Sequence, residues 1–484
     1  MNEAIRNIEP KELWNKFADL NAVPRPSKKE EKVIDFMRNF GENLGLKTLV
    51  DDIGNVIITK PASSGMEDRK AIVMQSHLDM VHQKNNDTDF DFDKQGITMF
   101  VEGDWVKANG TTLGADNGIG VATIMAILES KTIIHPRLEA LFTIDEETGM
   151  TGAMGLKGGV LKGEIMLNLD TEEDNEIGVG CAGGIDVTCT LSYDEEKVPE
   201  EFSAFRIEVK GLNGGHSGMQ IHEGLGNANK IINRLLYSVI NEIHLSEIDG
   251  GGLRNAIPRE SVALIVSNCT NDRLIRANIL EEVKNIKSEL KTTEPNLDIT
   301  IGSADCPNTM LGKDLSINLI KAIYATHNGV FRMSPDIIGL VETSNNVARV
   351  SVKDKVIKIL CLTRSSVESS KMDLANKLKA TFELIGGDVE FSGNYPGWTP
   401  NMESSILKVM RSLYIKLHSE EPHVAACHAG LECGILGTNY PNMEMISFGP
   451  NIKGAHSPDE RAQISSVQKY WKFVLEILKK IPKS

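Results

Sequence analysis

The chain has 484 residues, 41% of them apolar and 25% charged, which is too long for one typical core and predicts two or three domains of ordinary globular composition. Its net charge of −15 excludes a phosphate-backbone binder, which needs a basic face, and no apolar run approaches the roughly 20 residues of a membrane helix. The opening MNEAIRNIEPKELWNKF mixes acids and bases without an apolar centre, so no secretory leader is expected, and seven cysteines without a CxxC pair suit reduced thiols in a cytoplasm.

Taken in chain order, the pattern predicts helices over 10–20 and 28–44, then short strands over 46–50 and 55–60. A strand over 71–75 follows and leads into Ser76-His77-Leu78-Asp79. After a stretch rich in Gly and Asp comes GADNGIGVATIMAILES, whose apolar residues recur at helical spacing. A strand over 138–144 precedes DEETGMTGAMGL, and EIMLNLD reads as another. Apolar strands alternating with helices indicate an α/β sandwich with a mostly parallel sheet.

The texture changes after Gly184. Strand 204–211, helix 225–240, strands 241–245 and 261–267, helix 272–290 and strand 297–302 give the β-α-β-β-α-β order of a ferredoxin-like lobe. A second, less regular version follows: helix 315–326, strands within 338–362, helix 370–384 and strand 388–392. The α/β texture resumes at NYPGWTP, with helices over 404–417 and 464–480. The expected organisation is a catalytic domain of residues 1–186 plus 394–484, interrupted by a lid of two ferredoxin-like α+β lobes over 187–393.

The acids and histidines of the first part cluster at strand ends. His77 and Asp79 follow one strand, Asp145, Glu146 and Glu147 another, and Asp170 ends a third. Asp116 stands just before a helix, and His456 follows the apolar segment EMISFGP. In an open α/β sheet, ligands bind beyond the carboxyl ends of the strands. Singly, each has a bland explanation: a histidine satisfied after a strand, a solvated acidic turn, an N-cap aspartate. Jointly they meet at one predicted sheet edge. Imidazoles and carboxylates without thiolates suit a catalytic Zn²⁺, or Co²⁺ or Mn²⁺ in its place. Cys427 beside His428 admits a catalytic thiol, although an inert buried cysteine is the ordinary reading.

The segments HLDMV, GADNGIG, DEETGMTGA, NLDTEE and GAHSPDE together resemble the co-catalytic zinc peptidases of the aminoacylase and carboxypeptidase group. GGHSGMQI, TRSSVESS, YPGWTP, HAGLECG and SFGPNIKGAHSPDE look like the aminoacyl-histidine dipeptidases within it, in the same order along nearly the whole chain. The resemblance implies two divalent metal ions, with His77 and Asp170 on one, Glu147 and His456 on the other, and Asp116 bridging them. It also implies a cis peptide at Asp116-Asn117. Such paired ions lie roughly 3.5–4 Å apart, activate a water and polarise a carbonyl. Asp79 would fix the His77 tautomer, and Glu146 would be the general base acting on the bridging water.

In the lid, the resemblance gives His216 of GGHSG to the substrate carbonyl oxygen, where a donor stabilises developing charge. Arg364 suits a terminal carboxylate, with a structural salt bridge as the equal alternative, and Glu432 is a candidate for the free α-amine. His82, His222, His423 and His428 are expected to be non-ligands.

The implied activity is hydrolysis of dipeptides with free termini, notably Xaa-His, in the cytoplasm. The partner is a small peptide, with neither nucleic acid nor membrane. A tripeptidase, a carboxypeptidase, an N-acyl amino acid deacylase and a catalytically silent metal-dependent peptide binder remain alternatives. Relatives with a small lid borrow a histidine from a dimer partner, and a two-lobed lid admits a monomer or a homodimer.

Overall fold

The structure, a computed structural model, describes residues 2–484. Its internal contacts divide it into two compact units, one of residues 2–180, 400–426 and 431–484, the other of residues 181–399 and 427–430.

The first unit is built on an eight-stranded sheet. Its strand order is Lys47–Val50, Val56–Lys60, Leu138–Thr143, Ile72–His77, Ile165–Asn168, Glu444–Ser447, Glu176–Cys181 and His423–Cys427. The four central strands, from Leu138–Thr143 to Glu444–Ser447, run parallel. Antiparallel strands extend the sheet on either side. Every residue of Ile72–His77, Leu138–Thr143 and Ile165–Asn168 is buried. These are apolar runs covered on both faces, which is why they read as continuous rather than alternating. Helix Ala115–Glu129 is likewise buried around nearly its whole circumference, and Lys11–Leu20 packs on it through a face that buries Trp14 and Phe17.

The second unit contains a nine-stranded sheet with two superposed patterns. Strands Phe202–Lys210, His244–Gly251, Ser261–Asn268 and Asp298–Ala304 lie in the order fourth, first, third, second, with helices Ala228–Tyr237 and Asp272–Glu289 between them in sequence. This is the ferredoxin-like order. The same order recurs in Gly183–Ser192, Val341–Lys353, Val356–Ser365 and Asp388–Tyr395, with helices Lys313–Ala325 and Glu368–Glu383.

Gly183–Ser192 is the strand missing from the sequence reading of the second lobe. It precedes the entire first lobe, so the first lobe is an insertion within the second. The lobes join edge to edge where His244–Gly251 pairs antiparallel with Val341–Lys353. Gly251 is at φ +77° there, and a Cβ on it would stand 1.9 Å from the carbonyl oxygen of Ala348. Only glycine allows that approach. One apolar cluster runs through both lobes, including Val187, Phe205, Leu235, Ile265, Val347, Leu378 and Phe382.

Candidate metal centre

The four parallel strands deliver their C-terminal ends to one edge of the sheet. His77 is the last residue of its strand, Glu146 and Glu147 follow Leu138–Thr143, and Asp170 follows Ile165–Asn168. His456 lies in the loop after Glu444–Ser447, and Asp116 opens helix Ala115–Glu129, joined to Asn117 by a cis peptide bond.

Asp116 stands between two histidines. One of its oxygens is 3.2 Å from His77 Nε2, and the other is 3.3 Å from His456 Nε2. His77 Nε2 is also 3.5 Å from Asp170, and His456 Nε2 is 2.9 Å from Glu147. Two groups of three potential ligands therefore share one carboxylate: His77, Asp116 and Asp170, and Asp116, Glu147 and His456. A third group, His77 with Glu146 and Glu147, overlaps them. Glu147 Oε1 is buried without a hydrogen-bond partner among the described residues. All donors are nitrogen or oxygen, a set that suits a divalent metal of the zinc, cobalt or manganese kind.

The electrostatics follow from crowding carboxylates away from water. Burial works against a charged His77, but Asp170, Asp116 and Asp79 hold it well above the usual histidine range. Hydrogen bonds to Asp116 and Glu147 push His456 up to about 11. Burial opposes the Asp116 anion, yet the two imidazoles hold it well below the usual carboxylate range. Asp170, with less compensation, is pushed up by burial to about 6. Glu146 is raised well above an ordinary carboxyl, first by burial and then by the charges of Asp170, Glu432 and Glu147.

Asp79 does more than orient an imidazole. His77 Nδ1 lies 3.1 Å from its carbonyl oxygen and 3.3 Å from its carboxylate. The same carboxylate accepts the backbone N–H groups of Glu146 and Glu147, at 3.0 and 3.3 Å, and the Ser27 hydroxyl at 2.8 Å. It therefore ties the end of one strand to the turn after the next.

Three further residues, none given a role in holding the site by the sequence, complete this frame. Arg25, fully buried, donates to the carbonyls of Leu78, Asp79 and Gly114. Asn117 donates to the Leu169 carbonyl and to Asp170. Glu460 accepts backbone amides just before and at Asp116. The only signals for them were an arginine between two prolines, an asparagine after Asp116 and an acid shortly after His456.

Glu432 begins helix Glu432–Asn439 and is buried. One oxygen accepts from Gln75 (2.6 Å) and Thr143 (2.7 Å), the other has no hydrogen-bond partner among the described residues, and burial pushes its carboxyl up to about 8.

In the second unit, His216 Nδ1 accepts the backbone N–H groups of Gly218 (3.2 Å) and Met219 (3.0 Å). Burial and the Arg364 charge lower its pKa. The ring is thus neutral with its proton on Nε2, a donor. Arg364 is buried, gives one nitrogen to the Tyr395 hydroxyl at 2.6 Å, and leaves Nε without a hydrogen-bond partner among the described residues. His428 is buried with Nε2 2.8 Å from the Ser344 hydroxyl. His82, His222 and His423 appear in none of the ligand groups found among the described residues.

A sequence profile of "Peptidase family M20/M25/M40" matches residues 73–480. The chain is 44% identical over 480 residues to the cytosol non-specific dipeptidase of Escherichia coli (strain K12), covering 99% of both. Its structure aligns with that of the aminoacylhistidine dipeptidase from Vibrio alginolyticus with a TM-score of 0.95 and 41% identity, over 100% of both chains. The aminopeptidase PepT of Bacillus cereus shares the fold, at a TM-score of 0.57 and 17% identity, covering 98% of this chain and 99% of that one.

Burial and the neighbouring Arg364 push His428 down to about 3, far below an exposed histidine. Between about pH 6.5 and pH 3 the unfolded chain therefore binds a proton at this position that the folded chain refuses, so this term lowers stability as pH falls. Thermal unfolding at pH 7 and pH 5 checks it: His428→Gln should show a smaller pH 7-to-5 drop in Tm than the wild type.

Proposed function

The chain belongs to peptidase family M20/M25/M40, and from that premise we propose that it is a metal-dependent dipeptidase cleaving dipeptides with free termini, Xaa-His among them. The observation that carries this reading is Asp116, which turns one carboxylate oxygen to His77 and the other to His456. Full-length similarity to two proteins named as dipeptidases supports the substrate class. In this reading the unit of residues 2–180, 400–426 and 431–484 is the catalytic domain, and the unit of residues 181–399 with 427–430 is the lid. Similarity to a protein named as a cytosol dipeptidase supports work in a cytoplasm.

The residues fit two divalent ions. His77 and Asp170 would hold one, Glu147 and His456 the other, with Asp116 common to both. Zinc is the first choice, with cobalt or manganese in its place. Such ions, when bound, make an attacking water acidic near neutral pH and polarise the scissile carbonyl.

Everything else falls to side chains. Glu146 accepts a proton from the attacking water and delivers it to the leaving amine nitrogen. Asp79 holds the His77 ring and, through two amides, the backbone that aims Glu146 and Glu147. The Nε2–H of His216 is the proposed donor to the carbonyl oxygen as charge builds on it. Arg364 is assigned the terminal carboxylate and Glu432 the α-amine.

Histidine release from Gly-His and carnosine tests the activity. Chelation should abolish it and Zn²⁺, Co²⁺ or Mn²⁺ should restore it, with thiol alkylation of the loaded enzyme having little effect. Release that survives complete chelation refutes the reading.

The adjacent glutamates separate by their failure modes. Glu146→Gln should keep two metals per chain by elemental analysis and lose about 10²–10⁴ in kcat. Glu147→Gln should lose metal occupancy and recover part of its activity in excess metal. Reversed metal contents would exchange the two roles.

His216→Ala should lower kcat by about 10²–10³ with metal content unchanged, the scale for one such donor. An unaltered kcat removes His216 from the reaction.

A further inference from the structure

Glu460 is 2% exposed and follows His456 by four positions. Its carboxylate accepts four consecutive backbone amides. Leu113 (2.7 Å) and Gly114 (2.9 Å) donate to one oxygen, Ala115 (2.7 Å) and Asp116 (3.2 Å) to the other. The N-cap of helix Ala115–Glu129 is Gly114, which has no side chain to take those amides. The acceptor comes instead from a loop 344 positions away from Asp116.

That loop carries His456, a half-exposed residue in left-handed backbone at φ +64°. Glu460 therefore links the loop bearing His456 to the turn bearing Asp116. On its other side the same turn is held by Arg25, which takes the Gly114 carbonyl at 2.6 Å and the Leu78 and Asp79 carbonyls at 3.0 Å. Arg25 secures Asp116 toward the His77 segment, and Glu460 secures it toward His456. The two attachments use different atoms and different loops.

We propose that Glu460 is a positioning residue for the Asp116–Glu147–His456 group, fixing His456 against Asp116 and so setting that group's cation affinity apart from the His77–Asp116–Asp170 group. The inference rests on the two-cation reading above. A carboxylate acting only as a helix cap would change stability and leave the two affinities in their original ratio.

The test is Zn²⁺ titration of metal-free full-length protein against a competing chelator, with circular dichroism to verify folding. His456→Ala and His77→Ala identify which binding step belongs to which group. Glu460→Gln places an NH₂ against amide donors that now meet an oxygen. It should weaken the step that His456→Ala removes by about 10–100-fold, the usual cost of losing a residue that orients a ligand, and leave the other step in place. Glu460→Asp keeps the charge on a shorter arm and should weaken the same step by less, and it carries the test where the Gln variant does not fold. Equal weakening of both steps, weakening of the His77 step alone, or no change overturns the proposal. A wild-type protein that takes up fewer than two ions removes the two-cation reading and this inference with it, a result distinct from two wild-type steps that the variant fails to move.

Discussion

Carboxylates at the ends of four parallel strands are the constraint on which the rest of this structure depends. Asp79, Asp116, Glu146, Glu147, Asp170, Glu432 and Glu460 are gathered where water is largely excluded. An isolated buried anion is costly, and it persists only when paired, hydrogen-bonded or neutralised. Two imidazoles and one guanidinium, from His77, His456 and Arg25, face that set, in which burial holds Glu146 and Glu432 toward the neutral form. On the proposed reading, two divalent cations would offset the carboxylates that remain charged.

The frame around the centre is made from backbone. Asp79 and Glu460 take amides, Arg25 takes carbonyls, and Asn117 joins a carbonyl to Asp170. Each such contact fixes a loop rather than another mobile side chain, so the candidate ligands inherit their spacing from the sheet edge. A preorganised site needs that rigidity, because reacting groups displaced by about 1 Å lose much of their effect.

How much of this is legible in sequence depends on where the satisfying partner sits. The parallel strands are legible because both faces are covered and their sequences are unbroken apolar runs. The ligand candidates are legible because each follows such a run or opens a buried helix. Gly183–Ser192 is not, because its burial alternates and its helix lies beyond a whole inserted lobe. The rim strand Glu176–Cys181 is interrupted by two glycines and His423–Cys427 is only partly buried, so neither stands out as an apolar run. Arg25 and Glu460 are invisible for another reason: their partners are main-chain groups remote in sequence, which leave no pattern in residue type. The tautomer of His216 is set in the same way, by two amides.

The central claim is that two cations share Asp116. Crystals grown with zinc and measured at the zinc absorption edge test it most directly. Two anomalous peaks are expected, one among His77, Asp116 and Asp170, the other among Asp116, Glu147 and His456. No peak beside Asp116, or a single peak that excludes either histidine, would contradict it.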